Sequence, residues 1–444
     1  MKAQEHSAAY IAKSAHDEWC ERPLRELVTK LVDGSHNPPP KRDAGLPMLS
    51  ARNIENNGIV FDEYRLITED AFHAEHSKTR VTAGDVLLTI VGTIGRTTVV
   101  PESAQPFALQ RSVAVLTPGP EIFPKYLCYQ LQSPSVQRYF EANARGTAQK
   151  GVYLKSLGQT PIRVTPLDQQ KRIVAEIEKQ FSRLDEAVAN LKRVKANLKR
   201  YKATVLKTAV EGRLVEIEAE LARREGRSYE TGEQLLQRIL ETRRSQWQGK
   251  GKYKEPAAPD TTDVPELPEG WVWCSGTQFF EWSSGEGLTE KNQRSGTYPV
   301  YGGNGISGHH DEYFVEDPTI VIGRVGAHCG NVYVTKPQCW ITDNAIYAKS
   351  FPRSLPLEYL QIFFEQAGLN RIAAGSGQPF VNQRMLNEVS IPLPPLDEQL
   401  RILAEVDRRL PIAHEIEAQM DANLRRAERL RQSILSRAFA RSLV

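Results

Sequence analysis

PLDQQKRIVAEI at residues 166–177 returns as PLDEQLRILAEV at residues 395–406. The copies lie 229 residues apart (166 to 395), and at that offset the match continues in both directions without a gap. Backward, Gly146, Gln149, Val152 and Leu157 meet Gly375, Gln378, Val381 and Leu386. Forward, TVLKTAVEGRL ending at Leu214 lies on SILSRAFARSL ending at Leu443. Solenoid repeats have periods of about 20–50 residues, so this is the duplication of a half-protein. Farther upstream, VGTIGRTTVV (91–100) still echoes VGAHCGNVYV (325–334).

Each half reads as a globular part followed by a helical part. Residues 17–165 and 270–394 hold β-branched runs such as GDVLLTIVG and TIVIGRVG between Gly and Pro turns. Short helices such as PKYLCYQLQS and LEYLQIFFEQ lie among them. That mixture predicts an α/β (α+β) class. In the helical part, Ile173, Ile177, Phe181, Leu184, Val188, Leu191, Val194, Leu198, Tyr201 and Val205 recur every three or four residues, one apolar stripe. The second copy gives Ile402, Val406, Leu410, Ala413, Ile416, Met420, Ala427, Leu430 and Ile434. Pro411 predicts a break, with a long helix starting there, and by alignment a break near Ser182 in the first copy. Neither helix can bury its stripe alone, so the two are expected to pair as an antiparallel coiled coil. The alternative is that each helix packs on its own domain.

The chain then divides into a tail (1–16), a first globular domain (17–165), a central helical region (166–255), a linker (256–269), a second globular domain (270–394) and a distal helix (395–444). Within the central region Thr231 and Gln234 stand in capping-box spacing.

Composition excludes several classes. At 444 residues, with 40% hydrophobic and 25% charged residues, the chain has the material for two globular domains. No apolar run has the length of a membrane span, and MKAQEHSAAYIAKSAHDEW has no signal-peptide core, so a cytoplasmic location is expected. Five scattered cysteines fit neither a disulfide framework nor a zinc pattern. The formal charge of +3 neither demands nor forbids nucleic acid.

A search for catalysis finds none. SHNPPP (35–40) approaches the Asn-Pro-Pro-aromatic motif of amino-group DNA methylases, but Pro40 has no ring face to stack on a flipped base. YGGNGISG (301–308) is followed by no lysine-bearing helix start, and GxxxxGK[ST] is absent. Pro259–Asp260 lacks the ExK of a nuclease core. His309 and His310 are adjacent, so in a strand they face opposite ways, poor geometry for a metal, and they read as exposed polar residues.

The repeated Pro-Leu-x-x-Gln-x-x-Ile helix starts at Pro166 and Pro395 come with GSGQPFVNQRMLNEVSIPLPPLDEQ, with ELPEGWVW (266–273) and with YPVYGGNGISGHHDEYFVEDPTIVIGRVGAHCGNVYV. Over nearly the whole chain these resemble the specificity subunit of a type I restriction–modification system. The first domain departs, with WCERPLRELVTKLVDGSHNPPP in place of the Leu-Pro-x-Gly-Trp start. The resemblance implies two target recognition domains joined by an antiparallel two-helix coiled coil, an internal pseudo-two-fold repeat. Each domain would read one half of a split double-stranded DNA target, and the helices would dock two methylase subunits. Restriction/translocase subunits would join that complex. S-adenosylmethionine, and ATP and magnesium, would bind those partners; no cofactor, metal or catalytic residue is expected in this chain. Two alternatives remain: a coiled-coil adaptor without a DNA role, and a self-contained DNA methylase.

Base reading needs side chains that hydrogen-bond base edges. Candidates in the first domain are His36, Asn37, Lys41, Arg42, Arg52, Asn53, Arg96, Gln110, Arg111, Gln149 and Lys150. In the second they are Lys291, Asn304, His309, His310, Arg324, His328, Asn331, Asn344, Gln378 and Asn382. The GTAQK and GSGQP loops stand at equivalent places, with glycines that let backbone approach DNA. The basic run Lys192, Arg193, Lys195, Lys199, Arg200, Lys202 and Lys207 reads as a solvated or partner-facing helix face.

Overall fold

The computed structural model describes residues 19–146, 149–249, 251–262, 264–369 and 379–440. The tail 1–16, Gln378 and most of the GSGQP loop therefore lie outside the described residues. The chain forms two compact units: residues 1–193 with 420–444, and residues 194–419.

In the first unit the elements run β1 (Cys20–Pro23), α1 (Leu24–Leu27), β2 (Val28–Asp33), β3 (Leu46–Leu49), β4 (Ile54–Glu55), β5 (Gly58–Ile59), β6 (Arg65–Ile67) and α2 (Glu69–Thr79). There follow β7 (Val86–Thr89), β8 (Thr97–Val99), β9 (Ala108–Leu109), β10 (Val113–Pro118), α3 (Pro124–Gln132), α4 (Pro134–Asn143), α5 (Leu154–Gly158), β11 (Pro161–Val164) and the long helix α6 (Leu167–Val210). The main sheet has the order β2-β10-β7-β8, and a smaller one the order β6-β3-β9. β7 (VLLT) and the first four residues of β10 (VAVL) are buried throughout, the apolar runs expected of central strands. Pro124 and Pro134 stand in the first turns of α3 and α4, where a missing N–H costs nothing.

The second unit adds α7 (Glu218–Glu225), α8 (Gly232–Ser245), β12 (Val272–Ser275), α9 (Gly276–Phe279), β13 (Glu281–Ser284), β14 (Tyr298–Gly302), β15 (Gly305–His310), β16 (Ile320–Gly323), β17 (Val332–Val334), β18 (Trp340–Ile341) and β19 (Ala345–Ser350). It closes with α10 (Leu357–Gln366), α11 (Gln383–Glu388), β20 (Ser390–Leu393) and the long helix α12 (Leu396–Phe439). Its sheets, β13-β19-β16-β17 and β15-β14-β18, repeat the two larger sheets of the first unit strand for strand, including the one parallel pairing in each small sheet, while the β4-β5 hairpin has no counterpart among the described residues. β12 pairs with β20 as β1 pairs with β11. The fold is therefore duplicated where the sequence similarity had faded. Thr231 and Gln234 form the capping box at the start of α8.

The repeated phrase is the joint between domain and helix. Gln170, fully buried, accepts from Phe123 N at 2.8 Å and donates to Glu121 O at 2.9 Å and Thr165 O at 2.7 Å. Its counterpart Gln399, also fully buried, donates to Pro394 O at 2.9 Å. One turn later Ile173 and Ile402 enter the cores of their own units. A helix start with a glutamine clamp and an apolar first turn is needed twice, so the phrase occurs twice.

Both long helices are continuous over 44 residues, which corrects the expected breaks at Pro411 and Ser182. Proline inside a helix removes one hydrogen bond and costs about 3 kcal/mol. Here Val406 and Ala413 are buried on either side of Pro411, so packing spans the defect. In each unit the helices run antiparallel. In the first, Arg431 pairs with Asp185 at 2.6 Å and lies over the Phe181 ring, while Arg163 donates to Phe439 O. In the second, Lys202 pairs with Glu417 and Arg401 with Glu218.

The packed stripe differs from the apolar one. Buried and half-buried positions run Ile177, Phe181, Leu184, Val188, Leu191, Lys195, Leu198, Lys202, Val205 and Ala209. In α12 they run Val406, Leu410, Ala413, Glu417, Met420, Leu424, Ala427, Arg431, Ile434 and Ala438. Steps of four and three alternate without exception, a heptad pattern, and each position recurs 229 residues on. Val194 (45% exposed), Tyr201 (43%), Ile416 (37%) and Leu430 (45%), which the apolar spacing placed in the stripe, lie beside it. Their neighbours Lys195, Lys202, Glu417 and Arg431 take the places. Long charged side chains pack their stems and carry their heads to an ion pair.

Candidate nucleic-acid interface

In the first domain the loops after β2, β3, β7 and β9 enclose a cleft of ≈ 600 Å³. It gathers His36, Lys41, Arg52, Gln110, Arg111 and Gln149, six residues expected from sequence to read DNA. The backbone ties these loops together. Ser35 N donates to Leu109 O at 2.8 Å, Arg111 N to Ser35 O at 2.9 Å, and Gly92 N to Lys150 O at 3.1 Å. A Cβ on Gly34 would sit 2.3 Å from Leu109 O, so only glycine lets the β2 and β9 loops approach this closely. SHNPPP forms one wall: Pro39 O accepts from Arg65 Nη1 at 2.6 Å, and His36 Nε2 lies 3.0 Å from Asp33 Oδ2. Sequence reasoning missed Arg65, Tyr64 and Glu63, which also line the cleft. A strand of alternating pattern gives no sign of which cleft its end faces.

The other candidates separate. Asn37, Arg42 and Lys150 are exposed but outside this lining. Arg96 lines a different recess with Asn56, Asn57, Asp185 and Arg431. Asn53 is 1% exposed; its amide donates to Val60 O and Asp62 O, and its oxygen accepts from Ser50 N. It holds a turn and is not available to a base, a correction to the expectation.

The second domain builds the same frame from other side chains. Glu286 N donates to Ile341 O at 2.8 Å, where Ser35 N met Leu109 O. Thr342 N donates to Tyr301 O at 2.8 Å, as Gln110 N does to Leu49 O at 2.9 Å. Arg324 N donates to Asn344 O at 2.9 Å, as Ile90 N does to Ser112 O at 2.9 Å. Gly326 N donates to Pro379 O at 3.1 Å, the bond made by Gly92, and both glycines have positive φ, 79° and 77°. A Cβ on Gly285 would meet Ile341 O at 2.3 Å, like that on Gly34. Gly330 N bonds Gly323 O as Gly95 N bonds Thr89 O, so the 91–100 and 325–334 stretches match with one residue inserted.

Asn304, Arg324 and Asn344 are exposed around this frame, with Asn331 and His328 on the loop between β16 and β17. Lys291 and His309 are exposed elsewhere in the domain. His310, read as an exposed polar residue, is 3% exposed; its Nδ1 accepts from Arg294 N and its ring packs edge-on against Trp340. The strand alternation that points His309 outward points His310 inward. Asn382 accepts from Met385 N and caps α11. Both are structural.

Burial pushes the Cys128 thiol up to about 11 and raises those of Cys274, Cys329 and Cys339, the opposite of an activated nucleophile. Among the described residues no group of three His, Cys, Asp or Glu is placed to hold a metal, and no helix is long and apolar enough to cross a membrane.

Two domains of one topology, set on a repeated antiparallel helix pair, define a duplicated, helix-joined protein. The family model for the type I restriction modification DNA specificity domain matches residues 17–200 and 268–422. The chain belongs to that family of type I restriction–modification specificity subunits. It is 25% identical over 414 residues to the EcoKI specificity subunit of Escherichia coli strain K12, covering 90% of this chain and 82% of that one. With the Escherichia coli EcoprrI specificity subunit it shares 31% identity over 125 residues, 28% of this chain and 31% of that subunit, so this match spans under a third of the relative. A solved structure, described as the structural basis of complex assembly and conformational transition of the type I R-M system, matches with a TM-score of 0.61. It is 19% identical, and the match covers 95% of this chain and 97% of that one.

Proposed function

We propose that this chain is the sequence-reading, non-catalytic subunit of a type I restriction–modification complex. Each domain reads one half of a bipartite, gapped double-stranded DNA target. The observation that carries this reading is one backbone frame built twice with different side chains. Ser35, Arg111 and Ser112 in the first domain give way to Glu286, Asp343 and Asn344 in the second. A shared frame with exchanged hydrogen-bonding groups is what two readers of two different short sequences need. An adaptor without a DNA role would have no use for it.

The helices dock two methylase subunits, and restriction/translocase subunits complete the assembly in the cytoplasm. S-adenosylmethionine, with ATP and magnesium where a restriction subunit is present, is bound by those partners. The modest net charge of +3 fits a chain whose partners supply much of the phosphate grip. The test is transfer of labelled methyl groups from S-adenosylmethionine to DNA. We expect none from the purified chain and robust transfer when its cognate methylase subunits are added. Transfer by the chain alone would overturn the reading in favour of a self-contained methylase.

A further inference from the structure

The equivalence of the two frames carries more than a common fold. It aligns individual reading positions that sequence comparison could not. Leu49 and Tyr301 accept equivalent bonds; three residues on, Arg52 lies in the 3-10 turn after β3 and Asn304 in the tight turn between β14 and β15. Val113 N to Gln110 O and Ala345 N to Thr342 O, each 3.0 Å, bracket Arg111 and Asp343 at the tip of equivalent turns. All four side chains are exposed, and none makes a hydrogen bond or ion pair to another described side chain. The turns that carry them are fixed by their backbones, while the side chains are left uncommitted.

Resting on the DNA-reading role above, we propose that 111/343 are equivalent specificity positions, with Arg52 and Asn304 as further ones, one in each domain. Arg52 and Arg111 take guanine edges in the first half-site. Asn304 takes an adenine and Asp343 a cytosine amino group in the second.

The assignment follows from group chemistry. A guanidinium offers paired donors that match the O6 and N7 acceptors of guanine. A carboxamide offers one donor and one acceptor, the complement of adenine N6 and N7. A carboxylate only accepts, so near DNA it is repelled by phosphate and tolerated against the N4 amino group of cytosine. The change from Arg111 to Asp343 reverses charge at one backbone place. A phosphate contact common to both domains could not survive that reversal, and a base contact could.

The experiment is methylation-motif mapping of the full complex with Arg111→Gln and, separately, Asn304→Arg. With Arg111→Gln, one G·C position of one half-site should lose discrimination by about tenfold to a hundredfold, with the other half-site unchanged. With Asn304→Arg, one A·T position of the other half-site should shift toward G·C. An unchanged motif in both variants would overturn the proposal, as would a uniform loss at every base, the mark of a phosphate contact. If the unmodified complex methylates no bipartite motif, the DNA-reading role itself fails. If it does, but these variants leave it as it was, only the position assignment fails.

Discussion

Insertion of one heptad into each long helix, after Leu191 and after Met420, should widen the gap between the half-sites and leave both half-sites intact. Those residues are equivalent under the 229-residue repeat, and seven residues keep the stripe of α6 and α12 in phase. The insert adds about 10 Å of helix, or roughly three base pairs of duplex. Methylation mapping reads the result as the same two short sequences at a larger separation. A two-residue insert turns the stripe by about 200°, onto the opposite face, and should abolish methylation. An unchanged gap in an active heptad variant would show that the helices do not set the spacing.

Replacement of Glu398 by alanine should destabilise the second unit by about 2–4 kcal/mol. The residue is fully buried; its Oε1 accepts from Trp271 Nε1 at 3.0 Å and its Oε2 from Glu218 N at 2.8 Å. Truncation leaves two buried donors without an acceptor. Glu398→Gln keeps one acceptor oxygen and turns its NH2 toward the other donor, so it should cost less than alanine while still leaving one N–H unpaired. The pH dependence has a definite sign. Burial holds the Glu398 carboxyl above the usual carboxylate range. A carboxyl raised in the folded state binds its proton more tightly there. Its contribution is fully present below the ordinary carboxylate pKa and is lost as pH rises through the raised value. The wild type should therefore lose ground to the glutamine variant as melting is followed from pH 4.5 toward neutrality. A glutamine variant that melts as low as the alanine variant at neutral pH would contradict this account.

Why the chain repeats a phrase was legible from residues alone, because a helix start with a buried glutamine and an apolar first turn leaves a fixed signature. The antiparallel pairing was legible too. The seam was not fully so, because Lys195, Lys202, Glu417 and Arg431 hold heptad positions that an apolar count skips. Pro411 misled for a related reason: local propensity predicts a break, and packing on both sides overrides it. In the first cleft, Arg52, Gln110 and Arg111 were found because loop side chains with base-reading chemistry were sought. Asn53, His310 and Asn382 met the same criterion and turned out to hold turns, a strand and a helix cap. Polar residues serve backbone as readily as ligands, and only the structure separates the uses. The equivalence of Arg111 with Asp343 was invisible to alignment, since it rests on backbone bonds between unlike side chains.

The account turns on the claim that two domains read two halves of one target. Single-molecule mapping of methylation in the host genome, with and without this gene, tests it most directly. The account predicts that deletion erases adenine methylation at one motif made of two short defined sequences separated by a fixed undefined gap. Methylation that is unchanged by deletion, or lost at a continuous motif, would contradict it.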